Sequence, residues 1–425
     1  MADVRPLRSI RYAPEIDLAR VISPPYDVVS AQEWDELTLR SPHNIIRIEA
    51  PHGEKERYVE AAKTVHQWLD SGVMVRDGLP AFYLHQHRFS HAGQEYERRV
   101  LLANVRLEPW DAGIVRPHER TLGPPKEDRR RLLKATNVNI SPVFALYRGT
   151  RGIASLLDDA TRKAPLTTFS DHDGHHHTLW RLIDPDVNDD LSRCFTAATL
   201  YIADGHHRYE TALGHMQEVQ ALSVGWGSEE PESFVLMGLT AADDLGLLLL
   251  PIHRLVESSV PLEDVIRQLP PHFDVEPVFS LDQMLELMAE RGKLVTAVGM
   301  VSADSPDMYV LSGYGRDDIA SLLPPEAPPD WLNVDAAVLQ YAILMHVLAI
   351  KEADIVAGEM VEYTEDAAEA VKAVRDGKFR YAFFLNPVRP AQVLDIADSG
   401  QRMPQKSTYF YPKLPTGLVI RPFRY

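Results

Sequence analysis

The segment from Tyr201 to Ala212, YIADGHHRYETA, joins a predicted strand to a predicted helix. The apolar run from Thr199 to Ala203 is typical of a buried strand, and a helix is expected to begin near Tyr209. Between them lies a polar turn, residues 204–208, which we call the DGHHR box. A turn that exposes backbone N–H groups beside an arginine is suited to binding an anion. The alternative is a histidine-rich turn with an acidic cap and no ligand.

The side chains of the DGHHR box suit a phosphate-bearing ligand. Asp204 can hold Mg²⁺ or orient an imidazole. His206 and His207 can donate to phosphate oxygens, and which of the two faces the phosphate is left open. Arg208 carries a planar fork for bidentate phosphate binding, while Gly205 lets the backbone approach the ligand. We therefore predict that Asp204, His206 and His207 are catalytic. The glycine, both histidines and the arginine are predicted to bind the cofactor.

The pattern of apolar residues predicts a mixed α/β fold. Helical spacing is found over residues 56–69, 336–350 and 367–374. Residues 81–89 alternate like a strand, and residues 95–105 return after a short polar turn, which predicts a hairpin. No internal repeat, coiled coil or low-complexity tail interrupts this pattern. A chain of this composition can bury a substantial core.

Five segments resemble the prokaryotic family known as domain of unknown function 1015. They are SPPYDV (23–28), VRPHERT (115–121), TNVNISP (136–142), the DGHHR box and MPQKSTYF (403–410). These segments are distributed along the whole chain. The family name does not state an activity. More distantly, a DGHHR-type turn between strand and helix is similar to the nucleotide site of the ParB/sulfiredoxin superfamily. That superfamily includes free-serine kinases, sulfiredoxins and CTP-hydrolysing partition proteins.

The resemblance implies an architecture. It is an α/β (α+β) fold with a mixed sheet, in which a ParB/sulfiredoxin-like core carries large insertions. The best break in the sequence is the glycine-rich segment 225–231, just after the DGHHR box. We therefore expect an N-terminal half, residues 1–222, that ends with the box. A C-terminal α/β lobe, residues 223–425, is expected to contribute to the site.

The resemblance also assigns a base. In serine kinases of the superfamily a glutamate lies in a comparable segment upstream of the turn. By this resemblance we predict that Glu119 accepts the proton of the substrate hydroxyl. A positioned base of this kind typically raises the reaction rate 10²–10⁴-fold. Phosphoryl transfer also needs cations around the phosphoryl group. Lys126, Arg129 and Thr211 are therefore added to the predicted cofactor-binding residues. The alternative for Glu119 is a solvated loop that caps the helix from Lys126.

Two further segments mix hydroxyl groups, aromatic rings and charges that could bind a substrate. One lies near the N-terminus, residues 23–27, and the other is KSTYFYPK, residues 406–413. The alternative for the second is a plain strand with exposed lysines. The predicted substrate-binding residues are Tyr26, Asp27, His118, Lys406, Ser407 and Thr408.

Length, charge and cysteine content limit the functional classes to which the protein can belong. The chain has 425 residues and a formal net charge of −17, which disfavours broad contact with nucleic acid. Cys194 is the single cysteine, which excludes an intrachain disulfide and leaves the DGHHR box without the thiol that sulfiredoxin chemistry needs.

No signal peptide is evident, and the longest apolar run, about Leu245 to Ile252, is too short to span a bilayer. We expect a cytoplasmic protein without nucleic-acid or membrane partners, and a homodimer is one alternative for its oligomeric state.

Three functions remain open from the sequence. The first is a phosphotransferase that uses ATP or ADP with Mg²⁺ on a small hydroxylated metabolite, with serine or phosphoserine favoured by resemblance and the direction open. The second is a nucleotide-binding, slowly hydrolysing switch. The third is a metal-dependent phosphatase or hydrolase that uses the run His172–His177, although a plain histidine-rich loop is the commoner reading of such a run. Since no Gly-x-x-x-x-Gly-Lys-Ser/Thr loop is present, the DGHHR box must hold any nucleotide.

Overall fold

Strands and helices are interspersed along the part of the chain that the computed structural model describes, residues 1–54, 56–119, 123–270, 272–314, 319–325 and 327–424. The chain forms two units. The first comprises Met1–Pro117, Thr121–Leu248 and Pro412–Tyr425, and the second comprises His118–Arg120 and Leu249–Tyr411. The domain boundary that the sequence analysis places between residues 222 and 223 remains a prediction. Residues 223–248 and 412–425 belong to the first unit. The second unit is therefore built mainly from one continuous segment that is inserted in the first.

The strands are short and numerous. In chain order they are β1 (Val4–Arg5), β2 (Ile10–Tyr12), β3 (Met74–Arg76), β4 (Phe82–His91), β5 (Gln94–Arg106), β6 (Val115–Pro117), β7 (Val138–Asn139), β8 (Val143–Tyr147), β9 (Thr167–Ser170), β10 (His176–Leu182), β11 (Leu200–Asp204), β12 (Phe234–Ala241), β13 (Leu248–Leu250), β14 (His253–Val256), β15 (Phe273–Val278), β16 (Ala297–Ser302), β17 (Met308–Gly313), β18 (Val361–Thr364), β19 (Tyr381–Phe384), β20 (Tyr409–Tyr411) and β21 (Arg421–Pro422).

The helices lie between these strands. They are α1 (Leu18–Val21), α2 (Ala31–Arg40), α3 (Ile46–Glu49), α4 (Arg57–Asp70), α5 (Gly123–Thr136), α6 (Arg151–Thr161), α7 (Pro185–Phe195), α8 (His206–Leu222), α9 (Leu262–Gln268), α10 (Leu281–Arg291), α11 (Asp335–Val338), α12 (Glu352–Ala357), α13 (Ala367–Arg375) and α14 (Pro390–Asp398). Short 3₁₀ turns occupy Tyr26–Val28, Trp110–Ala112, Pro231–Ser233 and Pro329–Asn333, and a π-helix occupies Leu339–Val347.

The first unit is built on a mixed sheet. Among the described residues its strand order is β6-β11-β8-β12-β5-β4-β10-β9, with β1 added to β5. β11 runs parallel to β6 and antiparallel to β8, while β8 runs parallel to β12. β12, FVLMGLTA, is apolar almost throughout because it is central and buried on both faces. The mixed α/β class predicted from the sequence is confirmed.

Helices α6, α7 and α8 bury one face of this sheet. Their apolar side chains, such as Ile153, Phe195 and Tyr209, pack against β5, β8, β11 and β12. A second apolar cluster joins α3, α4 and α5 around Ile45 and Trp68. The strand that ends at Asp204 and the helix that follows it are therefore anchored in a core, and this fixes the turn between them.

The second unit has its own sheet and core. Its described residues form a sheet of order β15-β17-β16-β19-β14-β18, in which every pair is antiparallel. Helices α10 and α13 contribute Met284, Met288 and Val374 to the core beside it. A separate core of this kind allows the unit to be described as a body of its own.

Several predicted elements are confirmed. The helix predicted over 56–69 is α4, the one over 367–374 is α13, and the predicted hairpin is the antiparallel pair β4–β5. Its two-residue loop, Ala92-Gly93, has positive φ at both positions, as a type I′ turn requires. The helix expected near Tyr209 begins earlier, at His206, so most of the DGHHR box is helical.

The helix predicted over 336–350 differs in kind. It is a short α-helix, α11, followed by the π-helix Leu339–Val347, with the Leu348 N–H donating to the Ile343 carbonyl. Because this segment is apolar apart from Gln340 and His346, its pattern indicates burial without distinguishing between the two hydrogen-bond registers. Within the described residues, no helix has both the length and the apolar character needed to cross a membrane.

Gly246 is a position where the fold depends on a missing side chain. A Cβ placed there would lie 2.2 Å from the carbonyl carbon and oxygen of Glu97, both backbone atoms. We expect Gly246→Ala to lower the free energy of unfolding by about 1–3 kcal/mol, the usual range for overpacking. The matched control is Gly214→Ala in α8, where nothing lies within 4 Å of the added Cβ. The Gly214→Ala variant should raise the free energy of unfolding by up to about 1 kcal/mol. Urea midpoints followed by circular dichroism would measure both, and equal shifts would contradict the prediction.

Candidate functional site

The DGHHR box is a sharp turn between β11 and α8. Gly205 is the N-cap of α8 and has φ +86°, a backbone conformation that favours glycine. The Tyr209 N–H donates to the Gly205 carbonyl at 3.0 Å, which closes the first turn. Since glycine has no side chain, the N-terminus lacks the oxygen cap that Ser, Thr, Asp or Asn supplies. The positive end of this 17-residue helix therefore meets the box without a capping side chain.

Asp204 holds two cations at the end of β11. One carboxylate oxygen pairs with the Lys413 ammonium, and the other accepts from Arg208 Nη2 at 2.5 Å. All three side chains are at most 15% exposed. Burial alone would raise the pKa of Asp204, but Lys413 and Arg208 together hold it well below the usual range. The carboxylate is therefore charged, and it ties the turn to the C-terminal segment of the first unit.

Arg208 folds back beneath the glycine of the turn. Its Nη1 donates to the Pro142 carbonyl at 2.6 Å, and its Nη2 bonds Asp204. A Cβ on Gly205 would lie 2.8 Å from Arg208 Nε, so the glycine is needed for this side chain as well as for its φ. Within the described part of the chain, Nε is buried and has no hydrogen-bond partner. The fork predicted for bidentate phosphate binding is thus occupied at two of its three nitrogens.

Mg²⁺ does not fit at Asp204 in this arrangement. Both carboxylate oxygens already face cationic groups, Lys413 and Arg208, and a divalent ion there would meet their positive charges. The donor set that Mg²⁺ prefers is oxygen-rich and open to water. The predicted metal role of Asp204 is therefore disfavoured, and its observed role is to orient the two cations.

A pocket opens beside Arg208 in the first unit. Its free volume, open mouth included, is about 430 Å³. Three predicted cofactor-binding residues meet there: Arg129 from α5, and Arg208 and Thr211 from α8. The remaining lining residues are Glu49, Leu132, Leu133, Val138, Asn139, Ile140, Ser141, Val143 and Val235. Thr211 lies in the second turn of α8, because the helix begins at His206 and not near Tyr209.

Glu49 is a functional candidate that the sequence analysis missed. It ends α3, is 2% exposed and accepts a hydrogen bond from Ser141 Oγ at 2.8 Å. Burial raises its pKa, and the nearby cations of Arg129 and Arg208 only partly offset this. The available signal was an acid in a run, IIRIEA at 45–50, that is apolar apart from Arg47 and Glu49 itself. A carboxyl group is rarely buried in such a run without a partner.

The other predicted residues of the first unit are not among the lining residues of this pocket, although Tyr26 contacts one of them. Arg129 stacks over the Tyr26 ring, 3.9 Å from its centroid, and donates to the Glu49 carbonyl at 2.6 Å. Asp27 is exposed beside Tyr26. Lys126 pairs with Glu210, so its ammonium is engaged within the chain. His206 is buried and His207 is half-buried at the start of α8.

The remaining predicted residues belong to the second unit and contact one another there. Glu119 Oε1 accepts from the Lys406 N–H at 3.0 Å, and His118 Nε2 lies 2.9 Å from Thr408 Oγ1. Ser407 Oγ donates to the Pro404 carbonyl at 2.7 Å. The two family-like segments, 115–121 and 403–410, are thus joined by side-chain bonds, although Arg120 and Thr121 lie outside the described residues. In this unit Glu119 holds the exposed turn at Lys406, which has φ +56°.

Comparison with known proteins gives one matching family and several solved structures of low similarity. The model of a family described as Protein of unknown function (DUF1015) matches residues 4–324. No curated protein matches the sequence. A conserved hypothetical protein from Pyrococcus furiosus is 15% identical with a TM-score of 0.38, over 75% of this chain and 95% of that one. A free serine kinase variant in complex with AMP is 14% identical with a TM-score of 0.38, over 75% and 92%. SbnI with a C-terminal truncation, from Staphylococcus aureus, is 11% identical with a TM-score of 0.36, over 75% and 87%.

Glu49 should make stability depend on pH. Because its pKa is higher in the folded chain than in the unfolded one, the free energy of unfolding falls as pH rises from the unfolded value, about 4.3, through the folded value. Glu49→Gln removes this loss, so the variant should gain stability relative to wild type as pH rises from 4 to 8. Denaturation midpoints at each pH would measure it. Glu95→Gln, an exposed change in β5, is the control and should run parallel to wild type. A Glu49→Gln difference that stays constant with pH would contradict the assignment.

Proposed function

The chain belongs to the family described as Protein of unknown function (DUF1015), and from its first unit we propose a nucleotide-dependent phosphotransferase that acts on a small hydroxylated metabolite. Serine or phosphoserine is the leading candidate, by the resemblance of the DGHHR box. The direction of transfer, from a nucleotide to serine or from phosphoserine, is left to experiment. The nucleotide is proposed to be ATP or ADP.

One observation carries the proposal. The pocket beside the DGHHR box combines Arg129, Thr211 and Arg208 next to the N-terminus of α8. Among the residues that the structure describes, Arg208 Nε has no hydrogen-bond partner. Guanidinium groups and a helix N-terminus both stabilise negative charge, and a phosphoryl group in transfer spreads its charge over three oxygens. These cations are oriented by Asp204, by the Pro142 carbonyl and by the Tyr26 ring. A phosphate that entered the pocket would meet donors that are already positioned.

Two carboxyl groups are proposed as alternatives for the proton acceptor. Glu119 keeps the role that the sequence resemblance gave it, with Oε1 bonded to the Lys406 N–H. Glu49 is favoured by its place in the pocket and by its raised pKa, since a base works best when its pKa is near the working pH. Any divalent ion would accompany the nucleotide, because Asp204 is occupied by cations.

Nucleotide binding tests the pocket. We expect calorimetry with ATP and ADP, Mg²⁺ present, to show binding to the wild type, and Arg208→Ala to weaken it by roughly 1.5–3 kcal/mol. The matched control is Arg181→Ala, which removes a half-buried guanidinium paired with Asp77 and does not line the pocket. Thr211→Val keeps the shape of a lining residue and should weaken binding more mildly. Absence of binding to the wild type, or equal losses in Arg208→Ala and Arg181→Ala, would refute the site.

Transfer to serine tests the reaction. Phosphorus NMR should show phosphate moving between nucleotide and serine in one of the two directions. Whichever of Glu119→Gln and Glu49→Gln removes the base should lower turnover roughly 10²–10⁴-fold while nucleotide affinity changes little. If both variants keep the wild-type rate, neither carboxyl is the base. If nucleotide binds and no acceptor is phosphorylated, the chain is the nucleotide-binding switch instead.

A further inference from the structure

Four buried or half-buried imidazoles lie together at the β9 edge of the large sheet, away from the pocket residues. We call His85, His87, His175, His177 and Asp171 the histidine cluster. His87 of β4 is directly opposite His177 of β10, and their rings stack with centroids 4.3 Å apart. The neighbouring nitrogens are bonded in pairs: His85 Nε2 to His177 Nδ1 at 3.0 Å, and His87 Nε2 to His175 Nδ1 at 3.1 Å.

Asp171 is held in a fixed orientation beside these rings. Its Oδ1 accepts the N–H groups of Asp173 and His175, at 3.0 and 2.9 Å, within the turn from Asp171 to His175. Its Oδ2 faces the imidazoles instead, 3.0 Å from His177 Nε2 and 3.7 Å from His175 Nδ1. One oxygen therefore builds the turn, and the other is presented to the cluster.

Three donor atoms of the cluster converge. One ligand atom from each of His87, Asp171 and His177 lies within 4.8 Å of the other two. His87 and His177 are 2% and 1% exposed. His87 Nδ1 is buried and has no hydrogen-bond partner among the described residues, which is unusual for a buried polar atom. Because His87 Nε2 is bonded to His175, this Nδ1 is the nitrogen of His87 that can bind a ligand.

We propose that His87, His177 and Asp171 form a binding site for a divalent transition metal of the zinc class. Two imidazoles and one carboxylate are ligands that such ions share, whereas Mg²⁺ and Ca²⁺ prefer oxygen alone. His177 would ligate through Nε2, because its Nδ1 is bonded to His85. His85 then fixes the orientation and tautomer of His177, as second partners of metal-bound histidines do. His175, bonded to His87 and close to Asp171, stands beside the same site.

The surrounding charge explains why a carboxylate is part of the set. Arg98 of β5 lies directly opposite His87 in the sheet and is fully buried, with its guanidinium over the Phe144 ring. A metal ion near this cation requires a negative ligand, and Asp171 supplies it. Cys194 belongs to α7 and is not part of the cluster, so nitrogen and oxygen are the donors.

The test is a metal titration of the full chain without an affinity tag, after chelator treatment. Zn²⁺ should bind with a stoichiometry of one, measured against a chromophoric competitor, and should raise the melting temperature. Co²⁺ should bind in its place and give visible absorption of a nitrogen- and oxygen-ligated ion without a thiolate charge-transfer band. A wild type that binds no stoichiometric Zn²⁺ would overturn the proposal.

Variants locate the ion within the histidine run. Asp171→Asn keeps the shape and the turn, and His87→Gln keeps a polar group; each should weaken Zn²⁺ binding at least 10-fold. The controls are His172→Ala and His176→Ala, exposed histidines of the same run, which should bind Zn²⁺ as the wild type does. Near-ultraviolet circular dichroism without metal checks that each variant is folded. If Asp171→Asn and His87→Gln bind normally, or if only the exposed-histidine variants lose binding, the site is refuted. Because Zn²⁺ is added without nucleotide, these outcomes are independent of the phosphotransferase proposal.

Discussion

The pairing of Asp204 with Lys413 and Arg208 is the interaction on which the rest of the first unit's site depends. One carboxylate satisfies two cations that arrive from different parts of the chain, and Arg208 in turn reaches the Pro142 carbonyl. Removing one partner of such a nearly buried set typically destabilises a protein by about 3–5 kcal/mol, because a charge is left without compensation. The turn, the start of α8 and the C-terminal segment are therefore held in one arrangement. Gly205 is part of it, since a larger residue would displace the guanidinium.

The same arginine acts on two carboxyl groups with opposite results. Arg208 lowers the pKa of Asp204 together with Lys413, whereas burial outweighs its influence on Glu49, whose pKa rises. Two carboxyl groups that share a cation and are driven apart in pKa are a common arrangement in enzymes that move protons. Here the cations keep Asp204 ionised, whereas burial favours the neutral form of Glu49. Ser141 Oγ donates to Glu49 and stabilises its charged form in part.

Local patterns predicted the local structure well. The strand before Asp204, the hairpin of β4 and β5 and the helices α4 and α13 follow from apolar periodicity and turn chemistry, which act over a few residues. Arg129, Arg208 and Thr211, which the sequence predicts as cofactor-binding because cations and a hydroxyl near a turn are visible in it, line one pocket. Glu49 was not, since its partner Ser141 is 92 residues away. The tie of Lys413 to Asp204 spans 209 residues, and no periodicity reports a pairing at that distance. The π-helix was not predicted for another reason. A segment with so few polar residues does not show which hydrogen-bond register its helix adopts.

The first unit is discontinuous, and this gives its assembly an order in time. Residues 249–411 fold as the second unit, while residues 412–425 return to the first. During synthesis at about 5–20 residues per second, Lys413 emerges roughly 10–40 s after Asp204, which lies 209 residues earlier. In that interval Asp204 has Arg208 as its partner and lacks the ammonium. A nascent chain therefore carries an incomplete ion cluster until the ribosome has passed the whole insertion, and the finished site marks a chain whose C-terminal segment has been made.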